Sequence, residues 1–254
     1  MTKKNNLSIY TQLPGGLQAG SGIHETDLSV FGVDDTSGLM VAAQGNPGIN
    51  DSSARVAVEI LMDDMQTNLP QFASQLKGPE GSTLVKHCMQ ESIDNINEYL
   101  YLKKRDSRTS QPDAWTSISA IQYKQGHLSY IVTGEFSCLL SSGREIVVLK
   151  QSRQGEASIL GENLAFETPV QSQAVSIGDI LVIALQKDLD RIELDFMRLT
   201  LTRFQNNLDM AMRQINTRAS RNGLDRLPGM IIGRVEQPSS GKSGWLGKLR
   251  KHPV

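Results

Sequence analysis

Short apolar runs closed by turn residues open the ordered part of the pattern. Residues 28–33 (LSVFGV) read as a strand, 34–38 (DDTSG) as a turn and 39–43 (LMVAA) as the returning strand, which together predict a β-hairpin. After the loop 44–50 (QGNPGIN), Asp51 or Ser52 can cap a helix with Ala54, Ala57, Ile60, Leu61 and Met65 on one face and Pro70 just past its end. A second helix is predicted from near Ser82, with Val85, Cys88, Ser92, Ile96 and Tyr99 at three-to-four spacing. It gives way to the polar segment 103–113 (KKRDSRTSQPD), read as a surface loop.

From Trp115 the period becomes strand-like: 117–123, 128–133, 136–140 and 145–149 are separated by the turn signals KQG and SSGR and read as an antiparallel meander. Residues 174–184 hold another strand after an Ile-Gly-Asp turn. Leu194, Met197, Leu201, Phe204, Leu208, Ala211 and Ile215 then form an unbroken stripe, read as one long helix lying on a sheet rather than a coiled-coil seam. Residues 229–235 (GMIIGRV) close the pattern as a final strand. Burying all these stripes calls for two stacked sheets with helices outside, an α+β sandwich. The organisation expected is a tail over 1–20, one domain over 21–237 and a flexible basic tail over 238–254. In that last tail Trp245, Leu246 and Leu249 stand beside Lys242, Lys248, Arg250 and Lys251, the composition of a solubilising end or of a short anchor for an acidic surface.

Charge and cysteine content narrow the function classes. A net charge of −1 with 21% charged residues offers no bulk attraction for nucleic acid. No run approaches a membrane span and residues 1–20 lack the apolar core of a secretory signal, so a cytoplasmic location is expected. Cys88 and Cys138 lack the spacing of a redox or metal pair and read as buried thiols. His24, His87, His127 and His252 are scattered, which excludes a zinc-site pattern. Asp34 and Asp35 are adjacent acids that turn chemistry explains.

Five segments, HETD (24–27), LMVAAQGNPG (39–48), YIVTGEFSCLLSSG (130–143), SIGDILVIALQKDLD (176–190) and GLDRLPGMIIGRV (223–235), in order, resemble the type 2C (PPM) metal-dependent protein serine/threonine phosphatases. LMVAAQGNPG (39–48), followed by SSARVAVEIL, is similar to that family's strand, Asp-Gly loop and Ala/Ser-rich helix. HETD (24–27) is similar to its Asn-Glu-Asp element, YIVTGEFSCLLSSG (130–143) to its Gly-Asp-Ser-Arg strand, SIGDILVIALQKDLD (176–190) to the strand that runs into Ser-Asp-Gly, and GLDRLPGMIIGRV (223–235) to its closing Asp-Asn segment and last strand.

The resemblance implies a two-metal Mn or Mg site of carboxylates at one edge of the sandwich, where a bridging water attacks a phosphoryl group. Carried over, it places Asp27 and Asp225 as metal carboxylates, Gly45 as a backbone ligand and Glu135 in the seat of an Asp. It also places Gln44 and Gln186 where metal-binding Asp residues are expected, Gly22 where a phosphate-binding Arg is expected, and Arg226 where an Asn is expected. Glu25 reads as a surface group. An amide offers a neutral oxygen where dications need anionic ones, so the site reads as degenerate, with no metal or only weakly bound Mn or Mg. The function implied is a pseudophosphatase that binds a protein partner such as a phosphoprotein or kinase. The alternative is an active divergent phosphatase running on Asp27, Glu135 and Asp225. A scaffold brought to membranes by the basic tail is a third reading.

Overall fold

The computed structural model describes residues 7–13, 16–26, 29–45, 53–71, 80–106, 116–143, 145–149, 159–224 and 229–236. One six-stranded antiparallel sheet contains, in spatial order, β2 (Gly16–Ala19), β1 (Leu7–Leu13), β12 (Met230–Val235), β11 (Ile180–Leu185), β8 (Phe136–Ser142) and β9 (Glu145–Leu149). The other contains β10 (Gln171–Ala174), β7 (His127–Val132), β6 (Ser117–Lys124), β5 (Leu39–Gln44), β4 (Val30–Asp34) and β3 (Gly22–Glu25). Helices α1 (Ser53–Gln71) and α2 (Gly81–Asp106) cover the outer face of the second sheet. Helices α3 (Gln186–Ile192), α4 (Leu194–Arg203) and α5 (Leu208–Arg221) cover the first. The expected α+β sandwich is the observed one.

Alternation along the strands builds three apolar layers. In β5, Leu39, Val41 and Ala43 pack toward α1 and α2, whereas Met40 and Ala42 face the opposite sheet. The inter-sheet layer adds Phe31, Val33, Ile121, Tyr123, Cys138, Leu181, Ile183 and Ile231, and the third layer sets Val182, Ala184 and Ile232 against Met197, Leu201, Ala211 and Ile215. With both faces covered, the central strands are buried along their whole length. They therefore read as continuous apolar runs rather than alternating ones.

Several expectations are corrected. Residues 1–20, read as a tail, contain β1 and β2; β1 pairs with β12 from Leu7 opposite Val235 to Gln12 opposite Met230. Leu7, Ile9 and Leu13 are its aliphatic positions, interleaved with Ser8, Tyr10, Thr11 and Gln12, a weak hydrophobic signal for a strand. The meander is also divided, because β7 pairs with β6 and β10, while β8 pairs with β9 and β11. The chain changes sheets at Thr133–Glu135.

The long helix is three. Glu193, with φ +69, separates α3 from α4, and a turn after Arg203 separates α4 from α5, whose N-cap Asn207 accepts from the Met210 amide. Finally, Tyr99 is exposed and Met89, Ile93 and Leu100 take the buried face of α2, while Pro70 lies in the last turn of α1. The α1 capping position and most of the 103–113 loop fall outside the described residues, as does the tail 238–254, although α2 itself extends through Asp106.

Candidate functional site at one end of the sandwich

Four strand ends converge where the chain changes sheets. Gln44, the last residue of β5 and 3% exposed, pairs across the sheet with Ser117, the first residue of β6. Thr133, at the end of β7, accepts from the Ile118 amide at 2.7 Å and donates to the Ile118 carbonyl at 2.8 Å, so its hydroxyl stands in for a ladder partner. Gly134 follows at φ +58, and a Cβ there would overlap the Ser117 hydroxyl, so its backbone lies directly against that serine. The carbonyl of Glu135 then accepts from the backbone N–H of Gln186 at 2.8 Å.

This path joins the two glutamines to one end of the molecule: Gln44 beside Ser117, Ser117 against Gly134, and Glu135 bonded to Gln186. Gln44 belongs to one sheet and Gln186 begins α3 at the end of the other. The exposed Gln186 amide is bonded at both ends, because its Oε1 accepts from the Ser137 hydroxyl and its Nε2 donates to Asp190 Oδ1 at 2.6 Å. Gln44 Oε1 is buried and has no hydrogen-bond partner among the described residues.

Glu25 reaches the same end through the ladder, opposite Val30, which is itself opposite Ala43. It accepts from Arg55 of α1 at 2.6 Å, and Arg55 also donates to Glu59 at 2.8 Å. The hydrogen bonds to Glu59 and Glu25 hold the Arg55 guanidinium above its ordinary range. Its charge is spent on two carboxylates. Gly22 lies three residues farther along β3, and a Cβ there would meet the His24 imidazole at 3.4 Å. Gly45 is half-buried beside Gln44 and Glu135 is exposed, while Asp27, Asp225 and Arg226 lie outside the described residues.

Of the described residues in the expected metal set, Gln44 and Gln186 are neutral and Glu135 is charged. Among the described residues no three His, Cys, Asp or Glu side chains are grouped as a metal site. One of the two amides expected in carboxylate seats is tied to Ser137 and Asp190, the other is buried and uncharged, and Glu135 is the one described carboxylate of the expected set. A pair of dications needs several anionic oxygens between them to offset their mutual repulsion, and the described residues of the expected set supply one carboxylate. Asp34 and Asp35 lie at the opposite end of the hairpin. Asp34 Oδ1 accepts from the amides of Thr36 and Ser37, Oδ2 accepts from Gln66, and Asp35 pairs with Ser21, which is turn chemistry.

Three contacts were not foreseen. Asp190 stands four residues after Gln186, a spacing that a helix starting at 186 would have revealed. Ser137 reaches Gln186 only through the β8–β11 pairing, which has no local signal. Asn97, 1% exposed on α2, donates to the carbonyls of Asn163 and Leu164 and accepts from the Gly161 amide, pinning the 159–170 segment to the helix. Beneath the crossing, burial pushes the Cys138 thiol up to about 12, a shift the adjacent Ser119 hydroxyl only reduces.

No protein-family model matches the sequence, and no curated protein matches it. Solved structures do. The chain superposes on PppA, described as a key regulatory component of the type VI secretion system (T6SS) in Pseudomonas aeruginosa, with TM-score 0.63 at 11% identity over 90% of this chain and 96% of that one. Against Stp1 from Staphylococcus aureus the TM-score is 0.63 at 12% identity, covering 92% and 96%. Against the catalytic domain of the serine/threonine phosphatase PstP in complex with two manganese ions it is 0.61 at 13% identity, covering 91% and 100%. The fold is that of the PPM-type serine/threonine phosphatases.

Proposed function

We propose that this chain uses the phosphatase fold as a protein-binding regulatory module and does not hydrolyse phosphoesters through a binuclear centre. One observation supports the reading above the others: Gln186, expected in a carboxylate seat from the resemblance, is hydrogen-bonded on both ends of its amide, while Gln44, expected in the second, is a buried neutral group. Replacing two acids by amides removes two negative charges from a cluster that must offset about four positive ones. With no bridging dication, water at this end keeps a pKa near its bulk value of about 15.7, and the hydroxide nucleophile is not available at neutral pH. Arg55, the described guanidinium bonded to Glu25 at this end, is neutralised by two carboxylates and offers no spare charge to a substrate phosphate.

The regulatory role described for PppA suggests the same use here, with a phosphoprotein or a kinase as partner. Among the described residues no helix is long and apolar enough to cross a membrane. A cytoplasmic setting and a lipid-contacting basic tail belong to the proposal. The test is turnover of p-nitrophenyl phosphate and of a phosphopeptide under millimolar Mn. The expected result is a rate equal to the buffer blank. Metal-dependent hydrolysis lost on Asp225→Ala would replace this reading with that of an active divergent phosphatase running on Asp27, Glu135 and Asp225.

A further inference from the structure

Three large apolar side chains are left exposed on the helices that cover the first sheet: Leu194 and Leu199 on α4 and Met210 on α5, with Leu199 59% exposed. The core does not use them. Met197, Thr200 and Leu201 form the buried face of α4, and Ala211, Met212, Ile215 and Ala219 belong to that of α5. The turn over 204–207 brings α5 back along α4, because Arg218 near the end of α5 stacks on Phe196 near the start of α4 at 5.4 Å and bonds Glu193 at 2.8 Å. The two helices are therefore antiparallel neighbours with a furrow between them on the solvent side. Leu199 lies one turn past Phe196, and Arg203 one turn farther, where the start of α5 contributes Met210.

The charges around the furrow select its occupant. Arg218 is engaged by Glu193 and Arg198 reaches Asp195 at 3.5 Å, whereas Arg203, Arg213 and Arg221 are exposed and have no carboxylate partner among the described residues. Arg203 lies instead over the Phe204 ring, at 5.4 Å. Five arginines against two aspartates over residues 194–221 make this pair of helices positive in a chain whose net charge is −1. A guanidinium fork finds its strongest partner in a carboxylate, so the complement is acidic. A furrow between two helices takes an amphipathic helix, whose anchors one turn apart meet the apolar side chains while its flanks carry the opposite charge. The α4 helix, with ten residues, gives room for about three turns of such a segment. An anionic bilayer fits the face less well, because the Asp195 side chain is 91% exposed among the arginines and three apolar side chains make a narrow face for insertion.

We propose that the α4–α5 furrow docks an acidic amphipathic helix of a partner protein, which deepens the functional reading above and rests on its claim that the chain binds a protein. The probe is a fluorescein-labelled helical peptide of about 18 residues, with leucines one turn apart along one face and glutamates on the flanks, titrated with the full chain. It should bind about tenfold more tightly than a scrambled peptide of the same composition. Leu199→Glu and Arg203→Glu should each weaken binding by about tenfold through like-charge repulsion, and both positions are exposed, so each variant keeps the unfolding midpoint of the parent. Ile177→Glu, an equally exposed apolar position on the turn before β11, should leave binding unchanged. Equal affinity for the scrambled peptide, or a dissociation constant that neither furrow substitution moves, would overturn the proposal. So would pelleting with phosphatidylserine vesicles that Leu199→Glu abolishes, an outcome that assigns the face to a membrane. These readouts are separate from phosphoester turnover: loss of the peptide effect with no turnover sinks the furrow alone, and metal-dependent turnover sinks the functional reading.

Discussion

Gly134 rests its backbone on the hydroxyl of Ser117, at a separation that admits no Cβ on the glycine. The contact fixes the point at which the chain leaves one sheet for the other, and so fixes the spacing between Gln44 and Gln186. Gly134→Ala should destabilise the fold by about 2–4 kcal/mol, combining a positive-φ penalty with the clash. Ser117→Gly in the same chain removes the clash but not the backbone strain. Urea unfolding of the two single variants and the double should therefore show a coupling of about 1–2 kcal/mol. Additive losses would mean that the two residues do not share the space.

Asn97 provides a second stability test. Its amide makes three bonds to the backbone of residues 161–164 from a position 1% exposed, so Asn97→Ala leaves three backbone groups without those partners. A loss of about 2–4 kcal/mol is expected. Amide exchange at Gly161 should accelerate more than exchange in the β11 strand. Uniform acceleration would show that Asn97 supports the whole core instead.

Glu193 occupies φ +69 between α3 and α4 and is bonded by Arg218 at 2.8 and 2.9 Å, while the Arg218 guanidinium stacks on Phe196 at 5.4 Å. Both partners are partly exposed, so the ion pair contributes within about 1 kcal/mol. The strained backbone is the comparable term. Glu193→Gly relieves the strain as it loses the pair and should lie within about 0.5 kcal/mol of the parent, whereas Glu193→Ala keeps the strain and should lose about 1 kcal/mol more. Equal losses in the two variants would show that the φ value carries no cost.

Stability should fall on the alkaline side. Cys138 titrates at about 12 in the folded chain against an ordinary 9.0, because burial disfavours the thiolate, and Cys88 is raised for the same reason. Between those values the unfolded chain has released a proton that the folded chain retains. The stabilisation is complete below about pH 9 and is lost as pH rises toward 12. Cys138→Ala should flatten that decline in unfolding free energy across the range. An unchanged slope would assign the lability to other groups such as Tyr130, whose pKa is also raised by desolvation.

Much of this architecture was legible because apolar runs and turn residues coincide. The 34–38 turn, the α1 stripe and the ends of β9 lie where periodicity put them. What escaped was set by partners distant in sequence. The strand β1 has a weak pattern and is stabilised by β12, more than two hundred residues away, and the division of the meander depends on Gly134 packing against Ser117 rather than on any feature of residues 128–140. The stripe through 194–215 kept its three-to-four spacing across a real break, since Phe204 and Leu208 stay near the same apolar layer on either side of the turn. At the site, Gln44 and Gln186 could be named from the resemblance, but their meeting at one end and the capture of Gln186 by Ser137 required the strand register.

The pairing of β1 with β12 has a consequence for synthesis. Among the described residues the strand order places the first strand in the chain beside the last, and β12 bridges the β1–β2 hairpin and the remaining three strands of that sheet. Until residues 230–235 emerge, the nascent chain holds two unjoined fragments with open edges, and the first sheet can close only once they do.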